Sequence, residues 1–153
     1  MDIVLDFDGT VVDHRYPKVG VDVPQCVPTL RSWIKLRHNI CLSTMRSGKY
    51  LDDAVEWFRE RGLRLYGVQT HPTQMEWTSS PKCAGNLEID DRALGVPLIK
   101  YPSFRRSCVQ WETIVTEDRT KVYGVADLFD MPRTIVIVDA SGRETLGTTE
   151  DLI

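Results

Sequence analysis

The stretch Ile3-Val4-Leu5-Asp6-Phe7-Asp8-Gly9-Thr10, near the start of the sequence, joins a short apolar run to two acidic residues and a glycine. The apolar and β-branched residues predict a buried β-strand, and Gly9 predicts the turn that ends it. Alternate residues of a strand lie on the same side, so Asp6 and Asp8 are predicted to face one way. Each carboxylate raises the cost of ionising the other, which implies a positively charged partner between them.

The composition is typical of a folded globular protein. The 153 residues are 42% hydrophobic and 27% charged, with a formal net charge of −3. This length is enough for one sizeable hydrophobic core. The charge argues against indiscriminate binding to nucleic acid, although Arg105 and Arg106 could make a local contact.

The cysteines and the apolar segments indicate a compartment. The four cysteines form no closely spaced pair, and Cys41 lies in an apolar run, where a reduced and buried thiol is expected. Acidic residues interrupt the first apolar run, so it does not resemble a signal peptide, and no segment has the length needed to span a bilayer. We therefore expect a cytoplasmic protein with no membrane partner.

Strands and helices are predicted to alternate along most of the chain. After the first strand, the predicted elements are a helix over 24–38, a strand over 39–43, a helix over 51–58, a strand over 63–68 and a strand over 86–89. This alternation predicts an α/β fold with a Rossmann-like, doubly wound parallel sheet, in which ligands bind beyond the carboxyl ends of the strands.

The last third of the sequence shows a less regular pattern. The predicted elements are a strand over 96–101, a short helix over 109–115 anchored by Trp111, a strand over 122–125, and a hairpin of 134–138 with 144–146 that turns at Ser141-Gly142. We therefore divide the chain into a core over 1–120 and a short β-rich C-terminal extension over 121–153, packed on or beside that core.

Acidic and hydroxyl side chains follow three of the predicted parallel strands. Asp6 and Asp8 end the first strand, Ser43-Thr44 ends the second, and Asp90-Asp91 ends the strand over 86–89. A parallel sheet would collect these groups on one edge, where four carboxylates need a counter-charge. Hard oxygen ligands favour Mg²⁺, which also accepts phosphate oxygens. The sequence predicts a magnesium ion and a phosphoryl group at this edge.

These motifs together resemble the haloacid dehalogenase superfamily of phosphotransferases. The carriers of the resemblance are Asp6-Phe7-Asp8-Gly9-Thr10, a hydroxyl residue after the second strand, a lysine upstream of the second acid pair, and that pair in Ile89-Asp90-Asp91-Arg92. They occur in the superfamily's order, and the resemblance covers about residues 2 to 115.

The resemblance implies a role for each acid. Asp6 would be the nucleophile that forms an aspartyl-phosphate, and Asp8 would be the general acid and then the general base. Asp6, Asp8, Asp90 and Asp91 would hold Mg²⁺, Asp8 through its backbone carbonyl. Which of Asp90 and Asp91 contacts the metal directly stays open.

The resemblance also implies partners for the phosphoryl group. Thr44 would donate a hydrogen bond to it and is preferred over Ser43, because the superfamily's hydroxyl residue often stands two residues before an arginine, here Arg46. Lys82 would offset its charge and is preferred over Lys49 and Lys100, because it lies upstream of the second acid pair.

Three further residues are assigned to substrate binding: Thr10, His14 and Arg46. His14 is about equally well explained as a surface histidine. A guanidinium matches phosphate oxygens, so Arg46 could clamp a phosphate, while the alternative is a solvated arginine in a turn.

The predicted loops set the class of substrate. Residues 11–23 and 69–83 occupy the positions where the superfamily inserts cap domains, and both are too short for one. An open site would accept a phosphate monoester on a small molecule, a nucleotide or a nucleic-acid end. The motifs are similar to those of the phosphatase half of polynucleotide kinases and of small nucleotidases. The alternative is a non-catalytic metal-binding or regulatory interaction module, and the oligomeric state is left open.

Overall fold

The computed structural model describes residues 1–114 and the backbone of 134–138 and 144–148. The chain forms two compact units, Met1–Trp111 and Glu112–Ile153. The first unit contains every residue to which a site role was assigned.

A four-stranded parallel sheet is the centre of the first unit. Its strands are β1 (Asp2–Leu5), β2 (Asn39–Leu42), β3 (Gly67–Val68) and β4 (Leu87–Ile89), in the order β3-β2-β1-β4. In the register, Leu5 lies beside Leu42 on one side and Ile89 on the other. Strands buried on both faces require nearly continuous apolar sequence, as β1 and β2 have. The predicted α/β fold with a parallel sheet is confirmed, and it is consistent with a Rossmann-like core.

Two helices connect the first three strands. Helix α1 (Cys26–Lys35) follows β1, and helix α2 (Lys49–Glu60) follows β2. Their apolar residues recur at helical spacing, so each helix buries one face. Neither these helices nor the short helical turns of the described residues have the length and apolarity needed to cross a bilayer.

Aromatic packing in the core holds Phe7, the residue between Asp6 and Asp8, in place. Phe7 is fully buried, and its ring packs edge-on against Trp57, with 5.7 Å between centroids, and beside Phe58 at 6.2 Å. Because neighbouring residues of an extended chain point to opposite sides, anchoring Phe7 in the core directs Asp6 and Asp8 away from it.

The connection from β3 to β4 is a loop with one 3₁₀ turn, Gln74–Glu76, in place of a helix. The side chain of Gln74 is fully buried and organises this loop. Its Nε2 donates to the carbonyl oxygens of Ser80 (2.6 Å) and Lys82 (2.7 Å), and its Oε1 accepts from the backbone N–H of Ala84 (2.8 Å). One amide side chain therefore satisfies three backbone groups of a loop that has no crossover helix.

The segment after β4 differs from the sequence prediction. The strand over 96–101 is reduced to β5 (Leu98–Ile99), which pairs antiparallel with β6 (Cys108–Val109) outside the main sheet. The predicted helix over 109–115 is wrong: β6 is followed by a 3₁₀ turn, Trp111–Thr113.

Long-range hydrogen bonds explain why this helix does not form. The backbone N–H of Val109 donates to the carbonyl oxygen of Gly9 (2.9 Å), and the indole Nε1 of Trp111 donates to that of Thr10 (2.7 Å). Trp111 is almost fully buried, with its ring 5.7 Å from that of Trp33. These contacts fasten residues 109–111 to the motif after β1 and override the local helical pattern.

The second unit contains a hairpin. Strands β7 (Thr134–Val138) and β8 (Glu144–Thr148) pair antiparallel, with Val138 opposite Glu144. The two predicted hairpin strands are therefore confirmed, and the second is longer than predicted. The predicted strand over 122–125 and the turn at Ser141-Gly142 lie outside the described residues.

Trp111→Phe is expected to lower the free energy of unfolding by about 1 to 3 kcal/mol, because it leaves the buried carbonyl oxygen of Thr10 without its donor. Chemical denaturation of the full chain would measure this loss. The same substitution at Trp77, whose side chain is 68% exposed, should change stability by less than about 0.5 kcal/mol. Equal losses at the two positions would contradict the anchoring role of Trp111.

Candidate active site

Three of the predicted metal-binding acids meet at the carboxyl edge of the sheet. Asp6 directly follows β1, and Asp90 and Asp91 directly follow the neighbouring strand β4. The backbone N–H of Asp6 donates to the carbonyl oxygen of Ile89 (3.0 Å), which extends the pairing of the two strands into the site. One carboxylate oxygen of each acid lies within 4.8 Å of the others. We call Asp6, Asp90 and Asp91 the acidic triad.

Thr10 links the two sides of the acidic triad. Its hydroxyl donates to Oδ2 of Asp6 (3.2 Å) and accepts from the backbone N–H of Asp91 (3.1 Å). Thr10 itself is fully buried, and both bonds are partly buried. Thr10 was predicted to bind substrate, and its observed contacts orient the carboxylate of Asp6.

Gly9 is required by the close approach of the groups around it. Its φ is +94°, a conformation that L side chains rarely adopt. A Cβ at this position would overlap Nε2 of His14 and would lie 2.8 Å from Cγ of Asp91. Any larger residue would therefore push His14 and Asp91 apart.

The electrostatics of the acidic triad favour a bound cation. The pKa of Asp6 is raised from 3.8 to about 7, chiefly by burial and also by the charges of Asp90 and Asp91, against the opposing effect of hydrogen bonds from the Phe7 backbone and the Thr10 hydroxyl. A cation would remove this penalty on the ionised form. The three converging carboxylates could hold a metal ion, and their hard oxygen atoms suit a hard divalent ion.

His14 lies at the edge of the acidic triad. Its Nε2 is 2.9 Å from Oδ2 of Asp91, and both side chains are mostly buried. The imidazole is therefore held in contact with the acidic triad. His14 is not the free surface histidine of the alternative interpretation. Its predicted contact with substrate stays a prediction.

Asp8 lies outside the acidic triad and is paired with Arg46. The guanidinium donates from Nε to Oδ2 (2.6 Å) and from Nη2 to Oδ1 (2.7 Å), a two-point contact that fixes the carboxylate. The side chain of Arg46 is 1% exposed, so it is not the solvated turn residue of the alternative reading.

The remaining donors of Arg46 hold the loop after β1. Nη1 donates to the carbonyl oxygen of Pro17 (3.1 Å) and Nη2 to that of Lys18 (2.9 Å). The guanidinium carbon also lies 4.9 Å from the ring centre of Phe7 and 5.4 Å from that of Tyr16. These contacts already use most of the hydrogen-bond donors of Arg46. Its predicted role as a clamp on phosphate stays a prediction.

Thr44 follows β2, the strand beside β1, as predicted. Its Oγ1 accepts from the backbone N–H of Arg46 (3.3 Å), and Gln69 brackets its peptide groups, accepting from its N–H (2.9 Å) and donating to its carbonyl oxygen (2.6 Å). The neighbouring Ser43 continues the sheet, with its N–H donating to Leu5 (2.9 Å). Gln69 was missed by the sequence analysis, because a glutamine in a loop carries no motif.

Lys82 is placed beside Glu88 and not among the contacts of the acidic triad. Its Nζ is 3.9 Å from Oε2 of Glu88, and its side chain is 78% exposed. Glu88 pairs in register with Val4 and so precedes the strand end that carries the acids. Of the alternatives, Lys100 donates from Nζ to the carbonyl oxygen of Phe104. The charge-offsetting role of Lys82 stays a prediction that this placement does not support.

Asp13 is a second organising acid that the sequence analysis missed. It is fully buried, accepts from Nε of Arg15 (2.6 Å) through Oδ2, and accepts from the backbone N–H of Arg105 (3.0 Å) through Oδ1. Arg15 in turn donates from Nη2 to the carbonyl oxygen of Ser103 (3.0 Å). These bonds join segments about ninety residues apart, a pairing that no local pattern could reveal.

Arg46→Met is expected to lower the free energy of unfolding by about 3 kcal/mol, because it leaves the carboxylate of Asp8 without its partner in a mostly buried position. Thermal or chemical denaturation would measure the loss. Arg59→Met removes a matching arginine–carboxylate pair with Glu56 on the surface and should leave the free energy of unfolding nearly unchanged, because solvent screens that pair. Similar losses for both variants would show that the Asp8–Arg46 pair contributes no more to the free energy of unfolding than the exposed pair does.

Comparison with known proteins finds a solved structure that is similar to this chain. No protein-family model and no curated protein matches it. A structure of a conserved protein from Bacteroides thetaiotaomicron matches with a TM-score of 0.58 and 42% sequence identity, over 62% of this chain and 78% of that one. Identity at this level over most of that protein shows common ancestry and not only a common fold. The chain therefore belongs to the same protein family as this conserved protein from Bacteroides thetaiotaomicron.

Proposed function

We propose that the protein is a capless, Mg²⁺-dependent phosphatase of the haloacid dehalogenase type, which hydrolyses a phosphate monoester through an aspartyl-phosphate on Asp6. The observation that carries the proposal is the acidic triad at the carboxyl edge of the parallel sheet, with Asp8 two residues after Asp6. The substrate would be a nucleotide or a nucleic-acid end, as the motifs indicate.

The acidic triad supplies a suitable set of metal ligands. Asp6, Asp90 and Asp91 would hold Mg²⁺, with the backbone carbonyl of Asp8 as the further ligand that the resemblance implies. When bound, the ion would neutralise charge that otherwise keeps a phosphate away from a carboxylate nucleophile.

Asp6 would act through one carboxylate oxygen. The Thr10 hydroxyl holds Oδ2 and so fixes the rotation of the group. Attack on phosphorus forms a bond from the Asp6 oxygen to phosphorus, giving the aspartyl-phosphate, a mixed anhydride, and the bond from phosphorus to the alcohol oxygen breaks. The leaving oxygen takes a proton from Asp8. Asp8 then removes a proton from water, whose oxygen attacks phosphorus, releases inorganic phosphate and restores Asp6. Thr44 would hydrogen-bond the transferred group.

Arg46 would be a positioning residue in this reaction. Both oxygens of Asp8 accept hydrogen bonds from it, so Asp8 has to release one of them before it can exchange a proton with substrate or water. The ion pair with Arg46 therefore holds the Asp8 side chain in one rotamer beside the acidic triad.

A second candidate is a metal-binding or regulatory module without turnover. Two observations favour it: Asp8 is occupied by Arg46, and Lys82 pairs with Glu88 at a distance from the acidic triad. Under this alternative, the residues from 121 onward would form the interaction surface. Turnover separates the two candidates, because both keep the metal site.

Asp6→Asn is expected to reduce kcat at least about 10³-fold, because an amide cannot form the aspartyl-phosphate. The measurement is phosphate release from an aryl phosphate and from phosphorylated nucleotides, with Mg²⁺ and with a chelator. Circular dichroism and thermal denaturation would show that the variant is folded. Asp52→Asn, the same change on an exposed position of α2, serves as the control.

Full activity of Asp6→Asn would remove the proposed nucleophile. If the wild-type protein releases no phosphate from any substrate but still binds Mg²⁺, the regulatory module becomes the better description.

The pH dependence of stability provides a separate test of the metal site. The pKa of Asp6 is 3.8 before folding and about 7 in the folded, metal-free protein, so the folded state holds the proton more tightly. Metal-free stability should therefore fall as the pH rises from about 4 to 7. Mg²⁺ requires the ionised group, so it should raise Tm by roughly 3 to 5 °C near pH 8 and by less near pH 5.5.

Variants of the acidic triad extend this experiment. Asp90→Asn and Asp91→Asn should each reduce the Mg²⁺-dependent rise in Tm, and the larger reduction identifies the direct ligand. Glu88→Gln, which changes a nearby exposed carboxylate outside the acidic triad, is the matched control. A rise in Tm that all three variants retain would show that Mg²⁺ binds elsewhere.

A further inference from the structure

A cavity of about 520 Å³ adjoins the acidic triad. It is lined by His14, Tyr16, Arg105 and Arg106. The imidazole of His14 lines this cavity and also lies 2.9 Å from Oδ2 of Asp91, so one side chain contacts both the cavity and the acidic triad. A ligand that fills the cavity therefore lies next to the proposed phosphoryl site, and the volume is in the range of small-molecule sites.

The charge of the cavity is opposite to that of the acidic triad. Arg105 and Arg106 are both exposed, and no ion pair in residues 1–114 engages either guanidinium. A guanidinium offers a planar pair of donors that fits phosphate oxygens. Within residues 1–114, two adjacent arginines that no carboxylate engages form a site suited to an anion.

The wall that carries these arginines is held in place by hydrogen bonds, two of which are accepted by the buried carboxylate of Asp13. Asp13 accepts from the backbone N–H of Arg105 and from Nε of Arg15, and Arg15 also donates to the carbonyl oxygen of Ser103. Asp13 directly precedes His14 in the chain. The two sides of the cavity are therefore joined at a fully buried carboxylate, so the cavity is formed before any ligand binds.

Tyr16 adds a flat apolar surface. Its side chain is 57% exposed, yet its ring is supported by the ring of Tyr50, 5.5 Å away, and by the guanidinium of Arg46. A supported and exposed aromatic ring beside arginines is a typical platform on which a nucleobase stacks. This feature favours a nucleotide over a sugar carrying two phosphates.

We infer that this cavity binds a second phosphate of the substrate through Arg105 and Arg106 and stacks a base on Tyr16. The inference rests on the proposed function and narrows its substrate class: a nucleotide unit with one terminal phosphate monoester and a second phosphate within the same or the adjoining nucleotide. A nucleoside bisphosphate and the phosphorylated end of a single strand share this chemistry.

The test uses binding as well as turnover. Asp6→Asn protein with Mg²⁺ would be titrated calorimetrically with adenosine 3′,5′-bisphosphate, a 5′-phosphorylated dinucleotide, adenosine 5′-monophosphate and a sugar bisphosphate. The two ligands with a base and a second phosphate should bind about tenfold or more tightly than the monophosphate. Whichever of these two ligands binds with the higher affinity shows whether the substrate is a free nucleotide or a strand end.

Two variants assign this preference to the cavity. Arg105→Ala/Arg106→Ala should abolish the advantage of the second phosphate and leave the affinity for the monophosphate nearly unchanged. Tyr16→Ala should weaken every ligand that carries a base severalfold, but not the sugar bisphosphate. Lys35→Ala/Arg64→Ala removes the same charge at the amino edge of the sheet, from the last residue of α1 and from the segment before β3, and should change none of these affinities.

The outcomes separate this inference from the proposed function. Equal affinity for the bisphosphate and the monophosphate, or the same loss in both arginine double variants, would overturn the cavity assignment even if the wild type releases phosphate. A preference that depends on Arg105 and Arg106 in a protein that hydrolyses nothing would support the cavity and overturn the phosphatase.

Discussion

Carboxylate oxygens of Asp6, Asp90 and Asp91 lie within 4.8 Å of one another, where the charges of Asp90 and Asp91 oppose the ionisation of Asp6, and the surrounding structure keeps the three groups together. The parallel pairing of β1 with β4 sets the approach, and the hydroxyl of Thr10 ties Asp6 to the backbone of Asp91. The buried ring of Phe7 prevents Asp6 from turning away. The free energy gained by burying the core thus holds a charge arrangement that would disperse in an unfolded chain.

The two acids of the opening motif occupy different electrostatic surroundings although only one residue separates them. Asp6 is surrounded by two further acids, whereas Asp8 faces a buried guanidinium. Environments that differ in this way let one residue type serve two chemical purposes. In the proposed reaction, Asp6 supplies the oxygen that attacks phosphorus, and Asp8 supplies and removes protons.

The sequence predicted the parts of the fold that depend on local pattern. Apolar runs located β1, β2 and β4, and helical spacing located α2, so the convergence of Asp6 with Asp90 and Asp91 could be predicted from the carboxyl ends of parallel strands meeting at one edge of the sheet. The helix over 109–115 was wrong because Val109 and Trp111 form hydrogen bonds with residues a hundred positions away. The pairing of Asp8 with Arg46 and of Lys82 with Glu88 depends on loop paths and side-chain rotamers, which no spacing rule encodes.

Arg46 joins two parts of the molecule that the proposed reaction uses at different moments. The same guanidinium holds the carboxylate of Asp8, accepts the ring of Tyr16 against its face, and donates to the carbonyl oxygens of Pro17 and Lys18. A molecule that displaces Tyr16 therefore disturbs the donors of Asp8, and a change in Asp8 alters the support of Tyr16. Such coupling is reciprocal. If a ligand in the cavity changes the equilibrium for separating Asp8 from Arg46 by some factor, then that separation changes the affinity of the cavity for the ligand by the same factor.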